Sequence, residues 1–399
     1  MMPDTAAPAV PHILILVCEA VVADAERAYV HARDLRAQGH HVTVLLPSAV
    51  AGHSPRPCAS ALGVKTFESE PIGVLFAALI GPGAPHIVQV IGTAPRNLAP
   101  VLLAKAFGKP VVIDCRGGAA DKSAASAQLA KPLHDHIVLG GEALGLRLAD
   151  AIIVPGESAA DAIKADRQKI TVLRDGPWHG LAIYPADRTP FANDRPHLVA
   201  SLSDFDACDR VDFLLRTIRR VVFGLQRLDV QFAIAAPAAR HARLIQMAQS
   251  EDVKAFVTLV DAQDLPAVSH LLSSADLVVD PAERNAHTDH YLAPFALCAA
   301  KFSVPLVAFD RRIIHEALAG LATIAQKQEV PALADAILDL LDFPEVLAAR
   351  REDLRQRALG PTTRELSVNP YTELMDKLLP VQAPATQDAP GPSPGTAAE

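Results

Sequence analysis

The chain has 399 residues, half of them hydrophobic and 21% charged, with a net charge of −8. That length accommodates two domains with complete cores, and the composition excludes a disordered chain. The negative balance argues against a nucleic-acid partner.

HILILV, from His12, opens the chain as a continuously apolar run of the kind buried in a parallel sheet. A helix is expected over 25–38, with Ala28, Ala32 and Leu35 on one face; Gly39 stops it before a second strand, HHVTVLLP. Further strands read at HIVQVIG, PVVIDCRG, DAIIVPGES and ITVLRDG, starting at His86, Pro110, Asp150 and Ile170, with helices such as 98–107 and 142–148 between them. Strands alternating with helices predict an α/β, doubly wound parallel sheet. The polar stretch 184–195, punctuated by Pro185 and Pro190 and followed by Pro196, reads as a linker. The first domain is therefore set at 10–186 and the linker at 187–196.

A second domain, 197–360, repeats the pattern. HLVASL, VQFAIAA, FVTLV, LVVDP, PLVAF and ATIA are its strands, and 209–225, 238–249, 294–302, 333–341 and 344–356 its helices. A final helix is expected at 371–379 within a closing segment 361–380, and the Pro, Ala, Gly, Ser and Thr content of 381–399 predicts a disordered tail. Ligands in open α/β sheets lie just beyond the carboxyl ends of the strands. The loop 282–293 after LVVDP is thus the expected ligand position.

Cys18, Cys58, Cys115, Cys208 and Cys298 are scattered with no CxxC pair, which suits a reducing cytosol. No basic stretch precedes the first apolar run, so no signal peptide is expected. No apolar run reaches the ~18 residues of a membrane-spanning helix. A cytoplasmic location follows as the expectation.

The segment 274–309, SADLVVDPAERNAHTDHYLAPFALCAAKFSVPLVAF, resembles the donor-binding stretch of the family 4 glycosyltransferases, whose two Rossmann-like domains face a cleft in the GT-B fold. The family form is "E-G-F-G-L-P … L-E-A-M-A-x-G-x-P-V-V-A". Leu297, Ala299, Pro305, Leu306, Val307 and Ala308 keep its frame. His290 stands at the first glutamate, Cys298 at the second, and Ser303 at the glycine before the strand. The stretch 149–176 follows the family form "A-D-x-I-I-V-x-S-E-S … K-I-x-V-I-P-N-G-V" most fully, with Gly176 kept and Asp175 in the asparagine position. The resemblance spans roughly 12–380 and implies the GT-B fold, with 361–380 crossing back to the first domain.

Elsewhere the resemblance implies losses. The family's "G-G-x-E-R" is Ala23-Asp24-Ala25-Glu26-Arg27 here: both glycines that would bring backbone N–H groups to a phosphate are gone. Asp24 would repel a pyrophosphate at short range, or simply cap the helix. Gln89-Val90-Ile91 replaces "H-A-H". Ala200 and Ser201 replace the glycine and arginine of "G-R-x … K-G", the lysine region 204–209 is acidic, and Ala235-Ala236-Pro237 replaces "G-D-G-P". Asp114-Cys115-Arg116-Gly117 resembles a "D-x-R-G" that faces the cleft, so Arg116 is the surviving candidate to bind an anion, or else forms an Asp–Arg pair that ties down the loop. The candidate cleft residues are Arg116, Asp114, Asp175, Gly176, Glu283, His287 and His290; no catalytic residue is assigned.

His287-Thr288-Asp289-His290 and His134-Asp135-His136 are too sparse to predict a metal site. Arg210, Arg216, Arg219, Arg220 and Arg227 read as the charged face of an amphipathic helix, or as a docking face for an acidic partner or a membrane surface. Three functions stay open. The first is a non-catalytic binding or scaffold subunit beside an active glycosyltransferase or other glycan-assembly partner. The second is an active retaining transferase using a nucleotide sugar, as substrate rather than cofactor, through a remodelled site. The third is a GT-B relative of another class, such as a nucleotide-sugar epimerase.

Overall fold

The computed structural model describes residues 10–18, 22–51, 63–68, 71–92, 94–115, 131–174, 181–184, 196–203, 210–284, 289–290, 294–359 and 365–379. They form two parallel sheets. The first contains β1 (His12–Val17), β2 (His41–Pro47), β3 (Val64–Phe67), β4 (Ile87–Gly92), β5 (Val111–Cys115), β6 (Ala151–Val154) and β7 (Ile170–Val172), in the order β3-β2-β1-β4-β5-β6-β7. The second contains β8 (His197–Leu202), β9 (Val230–Ala236), β10 (Val257–Asp261), β11 (Leu277–Asp280), β12 (Leu306–Phe309) and β13 (Thr323–Ala325), in the order β10-β9-β8-β11-β12-β13. Both orders reverse direction once, between β1 and β4 and between β8 and β11, and such a switch point opens a crevice at the carboxyl ends of the strands.

The strands are buried because their side chains are apolar on both faces. β1 and β4 pair in register from Ile13↔Ile87 to Val17↔Ile91, and Ile13, Leu14, Ile15, Leu16 and Val17 are all fully buried. Each sheet therefore has two cores, one on each face. The expected strands are all present, and β3 is an addition. Its four residues, VKTF, leave Lys65 and Thr66 exposed, so this edge strand shows no apolar run.

The helix Val22–Ala37 packs Ala25, Ala28, Ala32 and Leu35 on the first sheet. It ends as expected at Gly39, whose φ of +89° suits a residue without a Cβ. Gly39 N–H donates to Arg36 C=O at 2.9 Å and His40 N–H to Leu35 C=O at 3.1 Å, the paired bonds of a Schellman motif. Asp24 lies in the first turn of this helix rather than at its cap, because the helix begins at Val22.

The segment 181–184, assigned from sequence to the first domain, is anchored on the second. Leu181 enters its core, Ala182 N–H bonds Ser269 Oγ at 3.1 Å, and Tyr184 stacks on His270 with ring centroids 4.1 Å apart. At the far end of the chain the helix Glu365–Leu378 returns to the first domain, where Tyr371 and Met375 complete a core with the helix Val22–Ala37. The 381–399 tail lies outside the described residues.

Candidate functional site

The second domain's switch point brings the ends of β8 and β11 together. Asp280 closes β11: its Oδ1 accepts Ala282 N–H at 3.0 Å, and its other oxygen pairs with the guanidinium of Arg311, which is only 1% exposed. Three residues further on, Glu283 pairs with Arg210, the residue that starts the helix Val211–Arg219 from the β8 side. Arg210 has φ of +45°, a left-handed conformation unusual for a side chain of its size. A second carboxylate holds it there, Asp212 Oδ1 lying 3.1 Å from Nε. The bond to Asp212 is the chief influence on the Arg210 guanidinium, and with Glu283 it raises its affinity for the proton further.

The loop beyond carries the same pattern. Asp289 caps the helix Arg312–Leu318, its Oδ1 accepting Arg312 N–H at 2.8 Å and its carbonyl accepting Ile313 N–H at 3.1 Å. Arg284 lies 3.2 Å from Asp289 and 3.6 Å from Asp310. Among the described residues at this edge, Arg210, Arg216, Arg284 and Arg311 are thus each paired with a carboxylate of Asp212, Asp280, Glu283, Asp289 or Asp310.

His290 is half-buried, and its Nδ1 is buried without a hydrogen-bond partner among the described residues. Cys298 is fully buried within the core of the second domain, so it offers nothing to the crevice. Ser201 is buried too, its Oγ without a hydrogen-bond partner among the described residues. Ser303, in the place where the resemblance puts glycine, has φ of +55°, so the backbone keeps the glycine conformation with the side chain changed.

The first domain treats its charges differently. Asp114, on β5, is fully buried, and its Oδ2 accepts from Arg27 Nε at 2.7 Å and from Gln89 at 3.3 Å. Gln89 reaches His31 Nδ1 at 2.9 Å and accepts the Tyr371 hydroxyl at 2.7 Å; His31 stacks on the Tyr371 ring at 4.3 Å. Burial and, after it, the Asp114 charge raise the Tyr371 phenol above its ordinary range, which keeps it a neutral donor. Asp114 therefore joins an internal network that fastens the C-terminal helix, and its charged partner is Arg27. Arg116, Asp175, Gly176 and His287 lie outside the described residues. Arg210 and Arg311 are cations that sequence reasoning does not place at the site: Arg210 reads as part of a helix face, and only the left-handed turn before that helix aims it at Glu283.

The two domains touch beside the crevice. Glu316 of the second accepts Glu157 N–H at 3.0 Å and Ser158 N–H at 2.9 Å, at the start of the helix Glu157–Ala162 of the first. Gly156 makes that approach feasible, since a Cβ there would come within 2.5 Å of Glu316 Oε2. Among the described residues no cluster of three or more His, Cys, Asp or Glu could hold a metal ion, and no helix is long and apolar enough to cross a membrane.

Comparison with solved structures places this architecture. Sucrose-phosphate synthase from Thermosynechococcus elongatus superposes with a TM-score of 0.70 at 16% identity, over 92% of this chain and 99% of that one. HepE of Anabaena, in complex with UDP-glucose, gives 0.69 at 12% identity over 92% and 99%. The UDP-GlcNAc 2-epimerase from Neisseria meningitidis, bound to UDP-GlcNAc, gives 0.57 at 12% identity over 92% and 100%. No curated protein matches the chain in sequence. Residues 196–342 match the family described as glycosyl transferases group 1, and the chain as a whole has the GT-B fold those transferase structures share.

Proposed function

We propose that this chain is a transferase-like GT-B protein of glycan biosynthesis whose donor site has lost its chemistry. It acts as a binding or scaffold subunit beside an active glycosyltransferase. The observation that carries the reading is the pairing at the second sheet's carboxyl edge. Transfer from a nucleotide sugar needs cations or N–H groups aimed at the leaving diphosphate. Here Arg311 lies inside the fold on Asp280, and Arg210 is held between Glu283 and Asp212. A lost donor of this kind costs about 3 kcal/mol of transition-state stabilisation, and the carboxylates already bound to these arginines would have to give way to the diphosphate.

One observation favours a second reading, an active retaining transferase. Arg210 and Arg311 both stand at the switch point, where a diphosphate could take the place of their carboxylate partners. Two of the proteins that share the fold were solved with UDP-glucose or UDP-GlcNAc bound.

Calorimetric titration with UDP, GDP and UDP-glucose, joined to an assay for released UDP, separates the readings. The scaffold reading predicts no heat of binding and no turnover, with a second protein co-purifying. Micromolar binding with UDP release would establish the active enzyme instead.

A further inference from the structure

On the first domain the helix Pro71–Ile80, PIGVLFAALI, has no polar side chain. A helix apolar all round belongs in an interior, yet only Leu75 and Leu79 are buried, and Ile72, Phe76 and Ile80 are 40%, 45% and 60% exposed. These three stand four residues apart and so line one outer face. The neighbouring helix Ala94–Ala106 extends it: Leu102 and, just past the helix, Phe107 are exposed, and the Phe107 ring meets that of Phe76 edge-on at 5.8 Å. Isolated apolar residues at a surface need no explanation, but a contiguous apolar face marks an interaction site.

Charge identifies the occupant. From Pro71 to Ile113 the sequence contains no Asp or Glu, although the chain carries −8 overall. The Ile80 and Phe107 end of the face lies at the amino-terminal edge of the sheet. There Lys65, the second residue of β3, is exposed and Lys109 is half-buried. Lys105 lies along the same edge, 3.0 Å from Asp150. Glu68 follows β3 and so lies at the other end of the helix, beside Ile72. A two-fold contact with a second copy would bring these lysines towards one another. Apolar tips within a basic rim are instead the pattern that binds anionic bilayers.

We propose that this face docks on an anionic lipid surface, with Phe76, Ile80 and Phe107 entering the headgroup region and Lys65 and Lys109 on the lipid phosphates. The proposal is independent of whether the donor site turns over.

Co-sedimentation of the full chain with phosphatidylcholine vesicles, alone or with about one-third phosphatidylglycerol, tests it. Binding is expected to the anionic vesicles only and to fall as salt is raised. The pair Lys65→Gln and Lys109→Gln should weaken it at least about tenfold, and Ile80→Asp with Phe107→Asp should abolish it. All four positions are partly or fully solvent-facing, so unchanged thermal melts would show that the variants fold. Absent binding, or equal binding to neutral vesicles, would overturn the proposal. So would a concentration-dependent dimer that Ile80→Asp dissolves, since the occupant would then be a second copy.

Discussion

In the first domain the charged groups near the carboxyl end of the sheet lie inside the fold, whereas in the second they lie mostly at its rim. Asp114 is fully buried and is spent on Arg27 and Gln89, and through Gln89 and His31 it reaches the helix that closes the molecule. The Arg210–Glu283 pair is 25% and 43% exposed. A buried pair is costly to break because the surviving charge stays desolvated. An exposed pair contributes about 0–1 kcal/mol, so it does little for stability and matters mainly for what may approach it. The same residue types thus serve architecture in one lobe and the electrostatics of an open crevice in the other.

That contrast can be broken at its strongest point first. Asp114→Ala should cost about 3–5 kcal/mol, because it leaves Arg27 buried without its carboxylate; urea unfolding measures it. Were the loss below about 1 kcal/mol, the network would be no more structural than the exposed pairs. Tyr371→Phe should cost less, about 1–3 kcal/mol, by leaving Gln89 Oε1 without its donor. Hydrogen exchange should show the loosening concentrated in the helix Glu365–Leu378.

A smaller effect arises at the opposite edge of the first sheet. Burial, opposed by a bond to Gly83 C=O, lowers the His12 pKa below its ordinary 6.5, and His41, His86 and Lys65 lower it further. The His12 and His41 rings lie 4.3 Å apart, and His86 Nδ1 accepts the His12 backbone N–H at 2.9 Å. A histidine with a depressed folded pKa contributes stability that is complete above 6.5 and is lost as pH falls through the folded value. Thermal melts should therefore decline below about pH 6.5, and His12→Asn should flatten the decline. A melt unchanged down to about pH 5 would contradict the assignment.

Much of this architecture was legible in the sequence. Continuous apolar runs marked every strand except β3, whose Lys65 and Thr66 face solvent, and Gly39 marked a helix end. The helix Pro71–Ile80 gave no signal because it has no polar face to set a period. The crevice was legible by position but not by pairing. Nothing in the spacing joins Arg27 to Asp114, 87 residues away; their contact depends on how the first helix packs on the sheet. Arg210 looked like one cation of a helix face, and its role follows from a φ of +45° that no composition rule foretells for arginine. Cys298 was read at a functional position, and its burial accounts for why a thiol can stand there.

If the scaffold reading holds, it is because Glu283, Asp212 and Asp280 already occupy the cations that a diphosphate would need. Glu283 and Asp212 are exposed and screened by solvent, so each opposes an approaching diphosphate by about 1 kcal/mol, roughly fivefold in binding. Titration of UDP into the wild type and into the double variant Asp212→Ala with Glu283→Ala, side by side, tests this directly. The scaffold reading predicts no measurable binding to the wild type and its appearance once neither carboxylate holds Arg210. Micromolar binding to the wild type that the double variant weakens would contradict it.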